Sequence, residues 1–338
     1  MKCRRCRKVA AAIELPSHHA AFCPECFFVF FKRQVLEGIR RHRLLSQHDR
    51  VLVCVSGGKD SLVLWDVLMD MGYETEGLYI DLGIEGYSDR SREKVIAYAE
   101  ARGKQPIIVE LTKEGVPIPE AARCTRMQEC SICGTVKRYF FNRIAKEGRF
   151  SVVATGHNLD DESARLLGNL LHWQRDHLAR QHPHLPASAE GLVKKVKPLW
   201  RVSELETAAY GFLKEIDYVI EECPMSKRAT SLVYKEALSL IEERMPGSRI
   251  VFYQGFIDKA NPLRTPEWKA TAASSVPTDT YTDDSAEDTN GDMESGTGGA
   301  PRSCASCGAL TYAETCAYCR LKELIQKRQG KRVKEMNG

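Results

Sequence analysis

The segment Val51–Ser61, VLVCVSGGKDS, joins an apolar strand to a helical pattern that Gly72 ends. Glycines allow the backbone to approach an anion, and the free N–H groups of a helix N-terminus favour negative charge. Lys59 adds a positive charge and Ser61 adds a hydroxyl. These features predict a phosphate-binding loop. It is not a Walker loop, because the pattern G-x-x-x-x-G-K-S/T is absent. The alternative is an ordinary glycine turn.

Apolar segments alternate with helical patterns through the middle of the chain. Strands are predicted at 51–55, 76–80, 106–111 and 151–155. Helices are predicted at 60–71, 90–102, 131–147, 159–171, 203–214 and 227–244, with a loop at 172–197. This alternation indicates an α/β fold, a parallel sheet with helices on both faces. Ligands bind at the carboxyl ends of such strands, where Ser56, Asp81 and Gly156 lie.

The composition is that of a globular protein. Of its 338 residues, 43% are hydrophobic and 28% are charged, which suits one main domain with small modules. No apolar run approaches the roughly 20 residues of a membrane span, and the N-terminus lacks the apolar core of a signal peptide. We therefore expect a cytoplasmic protein without membrane association. In that compartment thirteen cysteines indicate metal binding rather than disulfides.

Two sets of paired cysteines lie at the chain ends. Each set supplies four thiolates in two knuckles, the arrangement of a tetrahedral zinc site in a module too small for its own core. We expect zinc modules at 1–30 and 302–338, with His18 and His19 outside the metal site. The predicted ligands are Cys3, Cys6, Cys23 and Cys26 in the first module and Cys304, Cys307, Cys316 and Cys319 in the second.

A fifth cysteine pair, Cys130 and Cys133, has no second pair nearby. Its site must take a ligand from elsewhere, and Cys223 is the best candidate. Three thiolates fit a zinc ion with an open position, a [4Fe-4S] cluster with one iron free of protein ligands, or, for the pair alone, a redox site. Cys54 is expected to be a small buried residue, and Cys124 to be structural.

Charge is unevenly distributed along the chain. Residues 1–50 carry 11 basic and 4 acidic groups, a net +7, and 302–338 carry 8 and 3, a net +5. A basic helix is predicted at 27–48, and 31–50 is expected to link the first module to a catalytic domain at 51–269. Residues 270–301, with seven acidic groups and no basic one, are predicted to be a disordered linker. The basic ends suggest a polyanion such as RNA, although solvated surface charge is the alternative.

The segment GHNLDDE, residues 156–162, follows the fourth predicted strand. Gly156 would permit close approach to a nucleotide. Asn158 or Asp160 would cap the next helix, and a capping role is expected for Asp160 and Glu162. Asp161 is a candidate to hold Mg²⁺ against phosphates. One helical turn after Cys133, Lys137 would offset phosphate charge or be an ordinary surface lysine.

Five motifs in order resemble those of the PP-loop enzymes that thiolate tRNA. They are SGGKDS at 56–61, LYIDLGI at 78–84, CSICGTVKR at 130–138, TGHNLDDE at 155–162 and ECPMS at 222–226. With its paired terminal modules the chain looks like the uridine 2-thiolation subgroup, which includes the T-loop and wobble-uridine enzymes. Two stretches depart from the family pattern, namely 172–186 and 270–301.

The resemblance implies an ATP-dependent reaction with Mg²⁺, a [4Fe-4S] cluster on Cys130, Cys133 and Cys223, and two zinc ions. It also implies catalytic roles for Lys137, Asp161 and Lys59, a tRNA substrate and sulfur delivery by a ubiquitin-like carrier protein. A homodimer is one expectation for the assembly. The implied ATP contacts are Val55, Ser56, Gly57, Gly58, Lys59, Asp60, Ser61, Ile80 and Gly156.

The resulting hypothesis is a tRNA uridine 2-sulfurtransferase. It adenylates the C2 carbonyl oxygen of a uridine, with T-loop position 54 as the expected target, and replaces that oxygen by sulfur carried on the cluster. The alternatives are thiolation in the anticodon loop, at the wobble uridine or cytidine 32, and PP-loop amide or lysidine synthesis without a cluster. A non-enzymatic zinc-ribbon RNA-binding protein is a further alternative, against which the intact SGGKDS loop argues.

Overall fold

A computed structural model describes residues 1–125, 127–188, 191–226, 230–260 and 302–336. The predicted linker at 270–301 and the first residues of the helix predicted at 227–244 lie outside these ranges. The centre of the molecule is a six-stranded sheet. Its strands are β3 (Arg50–Val55), β4 (Glu74–Asp81), β5 (Ile107–Glu110), β6 (Val152–Thr155), β7 (His184–Leu185) and β8 (Lys194–Val196).

The strand order is β5-β4-β3-β6-β8-β7, and every neighbouring pair is parallel except β7 with β8. The chain runs outward from β3 on one side and returns to β6 on the other. The carboxyl ends of β3 and β6 therefore form the topological switch point at which such sheets bind ligands. Val51, Val53 and Val55 pack on one face of the sheet, and Leu52 and Cys54 pack on the other.

Helices cover both faces, as predicted. Their apolar sides fill two cores that the sheet separates. The helices are α1 (Pro24–Arg41), α2 (Lys59–Asp70), α3 (Tyr87–Glu100), α4 (Leu111–Glu114), α5 (Ile118–Cys124), α6 (Glu129–Glu147), α7 (Leu159–Leu171), α8 (Arg175–Arg180), α9 (Glu204–Leu213), α10 (Ser231–Arg244), α11 (Ser248–Gly255) and α12 (Ala317–Met336).

Two predictions about local structure are wrong. The helix predicted at 27–48 ends at Arg41, because Arg43 adopts a left-handed φ of 50° and the Leu44 N–H bonds the Ile39 carbonyl at 2.9 Å. The loop predicted at 172–197 contains α8, β7 and β8. β8 pairs with both β6 and β7, and strands of three and two residues are too short to show apolar alternation in the sequence.

A small module stands at each end of the chain. In the N-terminal module, residues 1–26, strands β1 (Ile13–Leu15) and β2 (Ala20–Phe22) form a hairpin that leads into α1. In the C-terminal module, whose described residues are 302–336, β9 (Arg302–Ser303) and β10 (Leu310–Thr311) precede α12. Within the described ranges, no helix has the length and apolarity needed to cross a bilayer.

Candidate functional site

The glycine loop after β3 is held open by its own backbone and by neighbouring elements. Gly57 has φ +82°, and a Cβ there would lie 2.8 Å from the Ser91 carbonyl oxygen, so a larger residue would be strained and crowded. The Val219 N–H bonds the Gly57 carbonyl at 2.9 Å. Gly58 then caps α2, whose first N–H groups have no acceptor within the helix.

Serines and a distant glycine complete the loop. Ser61 Oγ accepts from the Ser56 N–H at 3.1 Å and donates to the Gly58 carbonyl at 2.9 Å. At Gly156, a Cβ would lie 2.9 Å from both the N and the Cα of Ser61. The glycine that follows β6 therefore packs directly on the loop that follows β3. Its close approach in this structure is to the protein backbone.

A series of ion pairs links Lys59 of the loop to Asp161 at the start of α7. Lys59 Nζ lies 3.1 Å from Asp60 Oδ2 and 3.2 Å from Glu204 Oε1, and Lys235 Nζ lies 3.3 Å from Glu204 Oε2 and 2.6 Å from Asp161 Oδ1. Burial by itself would lower the pKa of Lys59, but the two carboxylates raise it. Burial likewise opposes the effect of Lys235, which lowers the pKa of Asp161. The two lysines keep three carboxylates together.

The acidic residues at the start of α7 have different partners from those predicted. Asn158 is the cap, as one of the two predicted candidates, and Asp161 closes a capping box with it through bonds of 3.0 and 3.1 Å. Asp160 and Glu162 lie in the first turn of α7, where acids suit the helix dipole as predicted, but neither of them caps the helix. Asp160 pairs with Arg249, and Glu162, fully buried, lies 2.6 Å from the Lys197 ammonium. These partners come from distant parts of the chain, which no local pattern reveals.

Half of the twelve predicted nucleotide and cluster residues line one cavity of about 350 Å³, here called the nucleotide cavity. The lining does not include the other six, which are Gly57, Gly58, Lys59, Asp60, Ser61 and Gly156. Its walls come from the ends of β3 and β4, from α3 and α6 and from the segment around residue 223. Among the lining residues are Val55, Ser56, Ile80, Tyr87, Cys130, Cys133, Lys137 and Cys223. The structure thus brings the CxxC pair and the distant cysteine to the cavity at which the glycine loop begins, with Ser56 in its wall.

The three cysteines of this cavity differ in spacing from a zinc site. In each of the two terminal sets, all four sulfurs lie within 4.8 Å of one another. The sulfurs of Cys130, Cys133 and Cys223 do not all lie that close together. A [4Fe-4S] cluster is ligated at separate irons, so a wider spread of thiolates suits it. Cys133 raises the pKa of Lys137 against the effect of burial, and Cys223 adds to the increase. Lys137 therefore stays protonated beside these thiols.

The two terminal sets have the spacing of tetrahedral zinc. Zn–S bonds of about 2.3 Å place the sulfurs of such a site roughly 3.8 Å apart. The distance is 3.9 Å between Cys6 and Cys23 and 3.7 Å between Cys307 and Cys316. His18 lies elsewhere, with its Nε2 atom 3.2 Å from Glu206 Oε1. Each module therefore has a donor set that fits one zinc ion.

A second cavity, of about 370 Å³, opens between α7 and α10, and Cys130 lines both cavities. Other lining residues are His157, Asp161, Arg165, Tyr234 and Lys235. Burial, with Arg165 and Lys197 nearby, lowers the pKa of His157 to about 4, so its imidazole is neutral near pH 7.

Three residues near these cavities were not singled out from the sequence. Glu204 begins α9 after the Ser203 cap, and the Ser203–Glu206 capping box marks that helix start but not its role. Lys235 lies on α10 among other charged residues. His157 is part of a motif that was noted, yet its burial is a tertiary property. For Glu204 and Lys235 no sequence signal identifies the ion pairs.

Comparisons with known proteins agree on one family. A family model for the PP-loop domain matches residues 29–230. The chain is 43% identical to a tRNA-5-methyluridine(54) 2-sulfurtransferase from Thermus thermophilus, over 98% of this chain and 94% of that protein. It is 36% identical to the enzyme of the same name from Thermotoga maritima, over 98% and 99%.

A solved structure supports the same fold. The U34-tRNA thiolase NcsA from Methanococcus maripaludis, determined with its [4Fe-4S] cluster, superposes with a TM-score of 0.69 at 28% identity. The superposition covers 78% of this chain and 89% of that one. The predicted fold class is thereby confirmed.

Proposed function

The chain belongs to the family of PP-loop tRNA 2-sulfurtransferases, and on that premise we propose that it replaces the C2 oxygen of 5-methyluridine 54 in tRNA by sulfur, using ATP. One observation carries the proposal. Ser56, the first residue of the glycine loop, lines the same cavity as Lys137 and three cysteines from two distant segments. Amide or lysidine synthesis needs no such cysteines, and an RNA-binding protein needs no phosphate loop.

ATP binding is assigned to the nucleotide cavity. The N–H groups at the start of α2 would hold phosphate oxygens, with Lys59 supplying positive charge. Val55 and Ile80, at the ends of β3 and β4, would face the nucleoside. Mg²⁺ with the nucleotide would meet the carboxylates of Asp60 and Asp161, which oxygen-preferring cations favour. Attack of the uracil O2 on the α-phosphate then forms the adenylated base and releases pyrophosphate.

The target base is assigned to the second cavity. A base must leave its stack before an enzyme can reach its ring atoms. Cys130 and Asp161 would then lie beside the base, while ATP occupies the neighbouring cavity. The neutral His157 would offer a hydrogen bond without an added charge. The activated C2 would thus lie between the phosphate site and the cysteines.

Cys130, Cys133 and Cys223 are proposed to hold a [4Fe-4S] cluster. When bound, such a cluster offers one iron without a protein ligand, at which sulfur from a donor is held. Lys137, protonated beside Cys133, would stabilise negative charge on the departing AMP oxygen. A ubiquitin-like carrier protein is proposed as the sulfur source, on the resemblance stated above.

The terminal modules are proposed to bind zinc and to contact the tRNA backbone. In the N-terminal module, the sulfurs of the four cysteines lie within 4.8 Å of one another, which suits one tetrahedral zinc ion. Lys2, Arg4 and Arg7 surround a surface cavity beside this site. Phosphate groups are natural ligands for such a surface. A reducing cytoplasm is the proposed location, since it keeps these thiols unoxidised.

The proposed activity is tested with the anaerobically reconstituted full chain, ATP, sulfide and tRNA that carries 5-methyluridine at position 54. Mass spectrometry of the nucleosides should reveal the 2-thio product. A matched tRNA with cytidine at 54 and an intact wobble uridine should remain unmodified. Sulfur at position 34 instead would overturn the proposed target and favour the activity named for the archaeal structure. Absence of sulfur from every nucleoside would contradict the reaction itself.

A further inference from the structure

Helix α6 carries two sets of residues on adjacent sides, about 100° apart around its axis. Cys133 and Lys137 lie one turn apart and face the nucleotide cavity. Ile132, Val136 and Phe140, also spaced by four, are fully buried in the core beneath. Because a helix is stiff over such a length, a contact on the buried side sets the position of the groups on the cavity side. That buried side includes the C-terminal module.

The C-terminal module packs on α6 mainly through aromatic rings. Tyr318, the second residue of α12, stacks on Tyr139 with ring centroids 3.9 Å apart and an angle of 9°. It also meets Phe140 edge-on at 5.4 Å and 80°. The Tyr318 side chain is 4% exposed, and its hydroxyl has no hydrogen-bond partner among the described residues. The ring, not the hydroxyl, makes the contact.

The same module contacts α6 and its neighbour at further points. The Tyr139 hydroxyl lies against Cys307, a member of the second cysteine set. Leu321 and Ile325 of α12 share a core with α5 and α6. At the far end, Gln329 Nε2 donates to Glu120 Oε1 at 2.8 Å. The metal-binding module is thus packed against the helix that carries the CxxC pair.

We infer that Tyr318 is a positioning residue for the reaction. Its stack on Tyr139 holds α6 so that Cys133 and Lys137 keep their places in the nucleotide cavity. The C-terminal module therefore acts on cluster retention and catalysis through α6, in addition to any contact with tRNA. This inference rests on the proposed assignment of the cluster to Cys130, Cys133 and Cys223.

Two substitutions at Tyr318 test whether the aromatic stack on Tyr139 positions α6. Tyr318→Ala removes the stack, and Tyr318→Phe keeps the ring while removing an unpartnered hydroxyl, a nearly neutral change. Phe30→Ala is the matched control. It removes a stacked ring from the other end of the molecule, where Phe30 and Phe22 lie 4.8 Å apart at 23°. The measurements are iron and zinc per chain, the loss of visible absorbance in air, and hydrogen exchange of residues 129–147.

With Tyr318→Ala we expect zinc to stay bound, iron to be lost in air roughly three- to tenfold faster, as one aromatic stack allows, and exchange in α6 to rise. Tyr318→Phe and Phe30→Ala should both keep the wild-type rate of iron loss and the wild-type exchange in α6. Wild-type rates of iron loss and exchange in Tyr318→Ala would overturn the inference. So would failure of the phenylalanine variant to rescue.

A second pair of variants covers the case in which Tyr318→Ala also loses zinc. Tyr139→Ala leaves the module's own sequence intact and should give the same loss of iron. The effect of the double variant should be smaller than the sum of the two single effects, because both singles remove the shared stack, although Tyr318 also contacts Phe140 and Tyr139 also contacts Cys307. Additive effects would overturn the inference. If the wild type itself holds no iron, the proposed function fails, while hydrogen exchange of α6 still tests the stack.

Discussion

Lys235 Nζ lies 2.6 Å from Asp161 Oδ1, which joins α10 to the capping turn of α7. The ammonium lowers the pKa of Asp161 against the effect of burial. Replacing Lys235 with Met should therefore raise that pKa. If ionised Asp161 is needed, the acid limb of the pH profile for pyrophosphate release should move to higher pH. Lys94→Met is the control, since it removes a pair of equal length, 2.6 Å to Asp217, outside both cavities.

An unchanged acid limb in the Lys235 variant would show that Asp161 does not act as a carboxylate in the measured step. A shift of equal size with Lys94→Met would indicate a general charge effect.

Charge at the phosphate loop should control base activation. Lys59→Met removes the cation, and Asp161→Asn removes the negative charge while keeping an acceptor for the Asn158 N–H. Loss of one preorganised electrostatic contact typically lowers a rate by about 10²–10³. We expect tRNA-dependent pyrophosphate release to fall by that order in each variant, with unfolding transitions close to wild type. Normal release in both would remove these residues from the proposed mechanism.

The three cysteines of the nucleotide cavity should act as one metal site. Replacing Cys130, Cys133 or Cys223 with Ala should abolish iron binding after anaerobic reconstitution, while both terminal zinc ions stay bound. Cys54→Ala is a suitable control, because Cys54 lines the same cavity but lies in β3. Full iron loading in Cys223→Ala would exclude that residue as a ligand, and zinc in place of iron would favour the open zinc site.

Because of the buried pair of Glu162 and Lys197, the free energy of unfolding should depend on pH in the acid range. Although burial opposes them, Lys197 and Arg165 lower the pKa of Glu162 from 4.5 to about 2. Its ionised form therefore stabilises the fold fully above 4.5, and this contribution is lost as pH falls toward about 2. Glu162→Gln leaves Lys197 without its counter-charge and should cost roughly 3–5 kcal/mol near neutral pH.

Urea unfolding across a pH series measures this effect. The difference in unfolding free energy between wild type and Glu162→Gln should shrink as the solution is acidified through that window. A difference that stays constant down to the acid end would mean that Glu162 is not the titrating group.

Phosphate contacts by the N-terminal module should depend on salt. Neutralising Arg4, Arg5, Arg7 and Lys8 together should weaken tRNA binding and flatten its dependence on salt, because fewer counterions are released. In the matched variant, four surface Lys or Arg residues outside the N-terminal module are replaced by neutral residues. They are chosen because they form ion pairs with acidic residues, as Lys94 and Arg143 do. Affinity measured over a salt series checks the prediction. A wild-type slope in the four-residue variant would place the tRNA surface elsewhere.

Much of the fold and part of the site were predictable because their signals are local. A strand, two glycines and a helix start lie within Val51–Ser61, and α2 begins at Lys59, one residue from the prediction. The start and end of α7 agree with the predicted 159–171. Short-range sterics and backbone hydrogen bonding determine such features, so neighbouring residues suffice to indicate them.

The cysteine spacing was similarly informative about the terminal modules. Within each set, two close pairs joined by a short segment of chain are enough for four sulfurs to converge, and the structure places them within 4.8 Å of one another. By contrast, the distance from Cys133 to Cys223 in the sequence says nothing about their separation in space. Their meeting in one cavity was expected because the lone pair needs a further ligand and Cys223 was the best candidate, and the family resemblance implied the same set.

The sequence by itself determined the glycine loop, the alternating strands and helices and the metal-ligand spacing. Only the tertiary structure decided that Glu204 and Lys235 join Lys59 to Asp161, that Arg249 takes Asp160, and that Tyr318 stacks on Tyr139. Each of these contacts links residues dozens of positions apart or more. Their energies depend on burial and on the angle between packed elements, which periodicity and propensity do not encode.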